Sequence, residues 1–205
     1  MRIILALLAL VATASPLCAA PLTVRVIDAS GRPVRDAVVK LDPSGSVARA
    51  PRAGRYVISQ QNLQFHPFLT LIPVGADVSF PNLDPTKHHV YSFSPAKRFE
   101  LKLFAKDQSR TVHFDKPGVV ALGCNIHDAM SAFIFVTDSA WTARTNAQGL
   151  VTFADPPAVR GRVMVWHPYL RAPGAIVQQS IAAGQRSSTF SLRLRVPPPM
   201  PMTDY

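Results

Sequence analysis

Cys124, His127 and Met130 lie on one short stretch in the order Cys-x2-His-x2-Met, which brings a thiolate, an imidazole and a thioether together. Mononuclear copper sites for electron transfer use two imidazoles and a thiolate in a trigonal plane, with a weak thioether on the axis. The second imidazole has to come from elsewhere in the chain, and His88 is the first candidate. The sequence therefore predicts a copper site with His88, Cys124, His127 and Met130 as ligands.

Two of these assignments have alternatives. His88 is followed directly by His89, and adjacent residues of a strand point to opposite faces of the sheet, so we expect only one of them to reach the metal. His89 stays open as the ligand in place of His88. Met130 has a simpler interpretation as a core methionine, because its flexible thioether packs well among apolar side chains.

Cys124 is expected to be the lone thiol of the mature chain, because the other cysteine, Cys18, lies in or beside a predicted signal peptide. A lone thiol in an oxidising compartment has no partner within the chain and is open to oxidation unless burial or a metal protects it. A small buried core cysteine is the plainer alternative. The neighbouring His and Met at ligand spacing favour a metal, and structural zinc would use more cysteines and histidines.

The residues around these candidates predict strands that deliver them to a sheet edge. The stretch 114–122 predicts a turn and a strand leading into Cys124, and 77–82 predicts a strand and its exit ahead of His88. No segment beyond the first 20 residues has sustained helical periodicity. The region predicts seven short strands with turn residues between them, at 67–72, 76–80, 89–93, 99–104, 110–114, 119–123 and 132–136.

At these residues the sequence resembles the cupredoxin family. The resemblance is carried by Phe-Pro-Asn at 80–82, His-His-Val-Tyr-Ser-Phe-Ser at 88–94 and Gly-Cys-Asn-Ile-His-Asp at 123–128, and it covers roughly 60–137. The spacing of the ligand loop is that of amicyanin. The fuller string resembles the periplasmic plastocyanin-like proteins labelled "methylamine utilization protein".

The resemblance implies a Greek-key β-sandwich that holds one type 1 copper. His127 would be the partly exposed ligand through which electrons leave, and Met130 would be the long axial ligand. Two departures stand out: His89 occupies the place where cupredoxins usually carry an Asn, and Leu122 the place of a common aromatic. The hydrogen bonds that orient the ligands would then come from other residues, for which Asn125 and Asp128 are candidates.

The flanks resemble a second β module. Residues 24–41 and the Val-Trp-His-Pro string at 165–168 resemble carboxypeptidase-regulatory-like, or transthyretin-like, β-sandwiches. Because two or three strands cannot form a stable sandwich alone, we predict that 22–58 and 140–196 form one split sandwich with the cupredoxin segment 59–138 inserted in it. A single enlarged sandwich with shared strands is the alternative. Either arrangement is all-β.

The two ends of the chain are not expected to belong to the fold. Residues 1–20 have a basic start, an apolar run and a small-residue end, which is the pattern of a secretory signal peptide. We therefore expect an exported, periplasmic protein. No later apolar run approaches the ~20 residues that a membrane span needs. The proline-rich stretch 197–205 predicts a disordered tail.

The charge balance is basic, with 22 Lys and Arg against 12 Asp and Glu and a formal net charge of +10. Such an excess is typical of a solvated basic face, or of a surface that steers a redox partner with an acidic docking face. No nucleic-acid-binding motif accompanies it, and we expect no nucleic-acid partner.

Two functions from different classes fit these observations. The first is one-electron transfer between partner proteins by a single copper ion. The second is copper carriage or a binding and interaction role, which the additional β-sandwich favours, because electron carriers usually consist of the cupredoxin domain alone. Paired carboxylates, a Ser-His-Asp set and a phosphate-binding glycine loop are not found in the sequence, so we do not expect an enzyme.

Overall fold

The computed structural model describes residues 20–45, 53–157 and 160–196. The predicted signal peptide, apart from Ala20, and the predicted tail at 197–205 lie outside these ranges. Within them no helix is long and apolar enough to cross a membrane. The all-β prediction is confirmed, because the described residues form seventeen strands and a single short 3-10 turn, Pro173–Ala175.

The strands are short and fall into five sheets. In chain order they are β1 (Leu22–Asp28), β2 (Val38–Pro43), β3 (Arg55–Val57), β4 (Ser59–Gln61), β5 (Gln64–His66), β6 (Leu69–Pro73), β7 (Ala76–Pro81), β8 (His88–Ser94), β9 (Lys97–Phe104), β10 (Ser109–Phe114), β11 (Gly118–Cys124), β12 (Ser131–Thr137), β13 (Thr142–Arg144), β14 (Leu150–Phe153), β15 (Gly161–Trp166), β16 (Ile176–Ile181) and β17 (Ser187–Leu192).

A five-stranded sheet and a three-stranded sheet enclose the first hydrophobic core. Their strand orders are β6-β12-β11-β8-β9 and β10-β7-β3. Period-two alternation explains the packing: on β7 the side chains of Ala76, Val78 and Phe80 are buried, while the residues between them face outward. They join Val120 and Ile134 of the larger sheet in one buried cluster. The seven strands predicted for this region are confirmed, each within two residues, as β6 to β12.

A second pair of sheets encloses a separate core. The strand orders are β14-β1-β17 and β13-β2-β15-β16, and Val24, Val39, Val165 and Phe190 are among its buried residues. β2 begins only at Val38, because the chain makes a turn at 35–36 just before it. β16 lies on a sheet edge with four of its six residues exposed, so the period-two pattern that predicts strands is missing from it.

The chain passes from the second pair of sheets to the first earlier than the predicted boundary at 58. β3 pairs in parallel with β7, and Ile58 is fully buried in the first core. The crossing therefore lies between Pro43, the end of β2, and Arg55, the start of β3. On the far side the change lies between Thr137 and Thr142. Among the described residues no strand pairs between the two groups. The assignment of the two groups as separate domains stays a prediction.

A third apolar cluster joins the two sandwiches. Trp166 of β15 is 2% exposed and contacts Phe133 and Phe135 of β12, with ring centroids 5.7 and 5.8 Å apart. Val38 and Leu69 complete the buried part of this cluster. The second sandwich therefore covers the outer face of the five-stranded sheet on its β6 and β12 side.

Beside this interface an ion pair links β2 to the end of β12. Lys40 Nζ lies 2.8 Å from Asp138 Oδ1 and 3.1 Å from Asp42 Oδ1. The hydrogen bond from Lys40 lowers the pKa of the Asp138 carboxyl below its ordinary value of 3.8. Because the folded pKa is the lower one, the pair stabilises the fold above pH 3.8 and this stabilisation is lost as pH falls through the folded pKa.

We predict that Asp138→Asn lowers the free energy of unfolding by about 0.5–1 kcal/mol at neutral pH, because half-exposed ion pairs contribute on that scale. The difference should disappear in acid. Urea unfolding at both pH values measures it. The matched control is Asp107→Asn, since exposed Asp107 forms none of the salt bridges among the described residues. Equal losses at neutral and acid pH would show that Asp138 acts by packing and not by charge.

Candidate metal centre

His88 and Cys124 come together through the pairing of two neighbouring strands. His88 is the first residue of β8 and Cys124 the last of β11, and the two strands run antiparallel with Cys124 opposite Val90. The start of β8 and the end of β11 therefore lie side by side at the same end of the sheet. Both side chains are buried, His88 at 0% and Cys124 at 3% exposure.

The loop after β11 supplies the third group. It is held by two backbone hydrogen bonds: Asn125 N–H donates to the carbonyl of His89, and Met130 N–H donates to the carbonyl of His127. The first bond ties the loop to β8, and the second closes a tight turn that brings the chain back into β12. His127 is half-buried at this turn, so its ring reaches both the site and the surface.

The ligand atoms of His88, Cys124 and His127 all lie within 4.8 Å of one another. Cys124 Sγ is 3.7 Å from Nδ1 of His88 and 3.6 Å from Nδ1 of His127. Nitrogen and sulfur ligands at ordinary bond lengths around one ion in a plane are about 3.8 Å apart. The three groups therefore fit a single metal ion, and their identities are the two imidazoles and one thiolate of a trigonal copper site.

The structure places the other predicted site residues as follows. His89 turns away from Cys124, and its Nε2 lies 2.9 Å from Oε1 of Glu100. Met130 is 2% exposed and belongs to the same buried cluster as Cys124. Its role as axial ligand stays a prediction. Asn125 contributes through its backbone N–H, and the side chain of Asp128 is exposed.

The residue that sequence reasoning missed is Asp84. Its Oδ2 lies 2.8 Å from Nε2 of His88, the ring nitrogen that faces away from Cys124, and it is only 5% exposed. The signal in the sequence was the Asp-x3-His spacing of Asp84 and the candidate ligand His88, in the segment that follows β7. A carboxylate that accepts a hydrogen bond from the distal nitrogen of a metal-binding histidine is a frequent arrangement in metal sites.

The surroundings favour the ionised thiol of Cys124. Burial alone would raise its pKa, but hydrogen bonds from His88, from the backbone N–H groups of His89 and Ile126 and from His127 outweigh burial and lower the pKa to about 6. Burial lowers the pKa of His88, and here too the contacts with Cys124 and Asp84 outweigh it, so that this pKa is raised. The site is thus arranged for a thiolate, the form that binds metal ions.

Comparison with known proteins gives a structural likeness over about half of the chain. No family model and no curated protein match the sequence. A copper-containing nitrite reductase (NirK) from Thermus scotoductus SA-01 is 24% identical at a TM-score of 0.40, covering 46% of this chain and 25% of the reductase, so that the chain spans only a quarter of that protein.

Two small cupredoxins are similar over their full length. The purple cupredoxin from Nitrosopumilus maritimus is 22% identical with a TM-score of 0.36, covering 42% of this chain and 100% of that protein. A methionine-to-alanine mutant of amicyanin in its Cu(I) form is 17% identical with a TM-score of 0.38, covering 48% of this chain and 98% of that protein. These likenesses concern the fold alone, and they do not extend to the whole of this chain.

In the metal-free protein we predict that the thiol of Cys124 titrates near pH 6 instead of the ordinary 9.0. Because the folded pKa is the lower one, the ionised thiol stabilises the fold fully above pH 9.0, and this contribution is lost as pH falls through about 6. Thiolate ultraviolet absorbance against pH measures the midpoint, with Cys124→Ser as the baseline that also subtracts Cys18. A midpoint near 9 would contradict the proposed hydrogen bonding.

Proposed function

We propose that the protein is an exported, non-enzymatic type 1 copper protein that transfers single electrons between partners. The observation that carries the proposal is the set of His88 Nδ1, Cys124 Sγ and His127 Nδ1 within 4.8 Å of one another, at ordinary spacing for one metal ion. Copper would supply a reversible one-electron change. The chain supplies the ligand geometry, the shielding from water and the contact with the partner.

The ligands are held on rigid elements, which suits electron transfer. His88 and Cys124 stand on adjacent strands of one sheet, and both are almost completely buried. The loop that carries His127 is tied to β8 by the Asn125–His89 backbone bond. A site fixed in this way changes little when one electron arrives or leaves, because the side chains have no room to rearrange.

His127 is the candidate exit for electrons, because it is the one member of the trio that is not buried. Two apolar side chains next to site residues in the chain are exposed: Ile126, the neighbour of His127, at 46%, and Leu83, the neighbour of Asp84, at 44%. An apolar surface around a half-buried ligand allows a partner to approach closely and exclude water. Lys87, next to His88, adds an exposed positive charge to this surface.

An acidic partner fits the charge of this part of the chain. Between residues 87 and 116 the exposed cations include Lys87, Arg98, Lys102 and Lys106, while Glu100 and Asp115, two of the three acids there, already pair with His89 and Lys97. The exposed positive charges would raise the rate at which an acidic protein encounters the site.

Export to the periplasm is part of the proposal. It is supported by the signal-peptide pattern of residues 1–20. It is also consistent with the single buried thiol of the described chain, since a metal and burial would protect Cys124 in an oxidising compartment.

Copper carriage or an interaction role is the second candidate, and a specific observation favours it. The second sandwich packs on the outer face of the five-stranded sheet through Trp166, Phe133 and Phe135. It therefore adds a second folded unit, with a surface of its own, to the sandwich that carries the candidate copper site. A carrier would release its ion readily to an acceptor, whereas an electron carrier would keep the same ion through many cycles.

The first test is the visible spectrum of the purified protein titrated with Cu(II). We expect an intense thiolate-to-copper band that saturates at one equivalent and disappears reversibly on reduction, because a trigonal thiolate site produces such a band. Cys124→Ala is the control, and it should bind no copper with this spectrum. Copper bound without the band, and lost quickly to a chelator, would favour carriage. No binding by the unmodified chain would overturn the copper proposal.

The docking proposal has its own test in the oxidation rate of the reduced copper protein by small complexes. We expect Lys87→Glu to slow oxidation by an anionic iron complex several-fold at low salt and to speed oxidation by a cationic cobalt complex, with both effects fading as salt is added. Arg25→Glu, the same change of charge at an exposed residue of β1, is the matched control. Equal effects from both variants would assign the result to net charge and not to the surface at His127.

A further inference from the structure

We infer that Asp84 is a positioning residue of the metal centre, one that orients His88 and places a fixed negative charge behind it. This inference rests on the proposed copper function. The two ring nitrogens of His88 have separate partners: Nδ1 faces Cys124 Sγ at 3.7 Å, and Nε2 faces Asp84 Oδ2 at 2.8 Å. When Nε2–H donates to the carboxylate, Nδ1 keeps its lone pair for the metal.

Asp84 is itself fixed from a separate part of the chain. The backbone N–H of Asn62 donates to Oδ1 at 2.6 Å, and that of Leu63 donates to Oδ2 at 3.0 Å. Asn62 and Leu63 form the turn between β4 and β5, and both have a φ of +54°, in the left-handed region that costs energy for residues other than glycine. The two hydrogen bonds from this turn to the Asp84 carboxylate offset part of that conformational energy.

The segment between β7 and His88 is held by a second buried side chain. Asn82 is fully buried; its amide donates to the carbonyls of Thr86 at 2.8 Å and Phe104 at 3.1 Å, and its Oδ1 accepts the N–H of Asp84 at 2.9 Å. The backbone N–H of Leu83 donates to the carbonyl of Gln60 in β4. Asp84 therefore has little freedom, and its hydrogen bond fixes the plane of the His88 ring.

The charge of Asp84 matters as well as its position. A carboxylate accepts all three of its N–H partners without offering a donor of its own, whereas an amide has only one oxygen for them. A negative charge behind a ligand imidazole makes the ring a stronger donor and stabilises the more highly charged metal ion. Asp84 is thus expected to favour Cu(II) over Cu(I) and to lower the reduction potential of the site.

The test is Asp84→Asn, which keeps the size of the side chain and removes the charge. We expect Cu(II) affinity to fall 10- to 100-fold, the usual effect of losing such a partner, and Cu(I) affinity to fall less. The reduction potential should rise by about 59 mV for each tenfold difference between the two losses. Chelator competition measures the affinities and spectroelectrochemistry measures the potential.

Glu100→Gln is the matched control. Glu100 Oε1 lies 2.9 Å from Nε2 of His89, the residue next to His88. The variant therefore removes the same charge from a carboxylate–histidine pair of similar length. It should leave both affinities and the potential unchanged. Equal shifts from the two variants would overturn the inference, because a general change in charge would then explain them.

A merely structural role for Asp84 gives a different result. If the carboxylate only anchors the β4–β5 turn, Asp84→Asn would weaken Cu(II) and Cu(I) equally and leave the potential where it was, which would overturn the inference. If that variant does not fold, nitrogen NMR of the Cu(I)-loaded unmodified protein decides: a protonated Nε2 on His88 supports the inference and a protonated Nδ1 contradicts it. Failure of the unmodified chain to bind copper would instead overturn the proposed function.

Discussion

The antiparallel pairing of β8 with β11 is the constraint on which the candidate metal centre depends. It sets Cys124 opposite Val90 and so places His88 and Cys124 at one edge of the sheet, where the loop with His127 closes over them. Gly123 beside Cys124 leaves room for the Tyr91 ring across the strand pair, because a Cβ on Gly123 would lie 2.7 Å from Cζ of that ring. A shift of one residue would move every side chain to the other face and separate the trio.

Buried hydrogen bonds hold the segment that leads to His88 in place. Buried polar groups are stabilising only when they are satisfied, and the segment leading to His88 meets that condition with Asn82 and Asp84, whose partners come from the β4–β5 turn and from β9. The carbonyl oxygen of the Gln60 side chain is an exception, buried with no hydrogen-bond partner in the part of the chain that the structure describes. The hydrogen-bonded pairs around Asn82 and Asp84 therefore fix the geometry of the candidate ligand His88.

The second sandwich is joined to the first by packing and not by shared strands. Trp166 lies against Phe133 and Phe135, whose side chains point away from the first core because their neighbours Ile134 and Val136 point into it. One face of β12 thus packs in the first hydrophobic core and the other packs in the interface. The β8 and β9 side of the same sheet is left uncovered by this contact, and Phe93 there is 76% exposed.

The sequence by itself determined the ligand types, their spacing and the alternating strands around them, because period-two burial and the Cys-x2-His-x2-Met loop are local patterns. Seven strands were predictable for this reason. Tertiary structure decided which histidine of the pair faces Cys124, since only strand pairing fixes the face on which each lies. It also decided the place of β3 and the partnership of Asp84 with Asn62 and Leu63, because contacts between residues about twenty positions apart leave no periodic trace in a sequence.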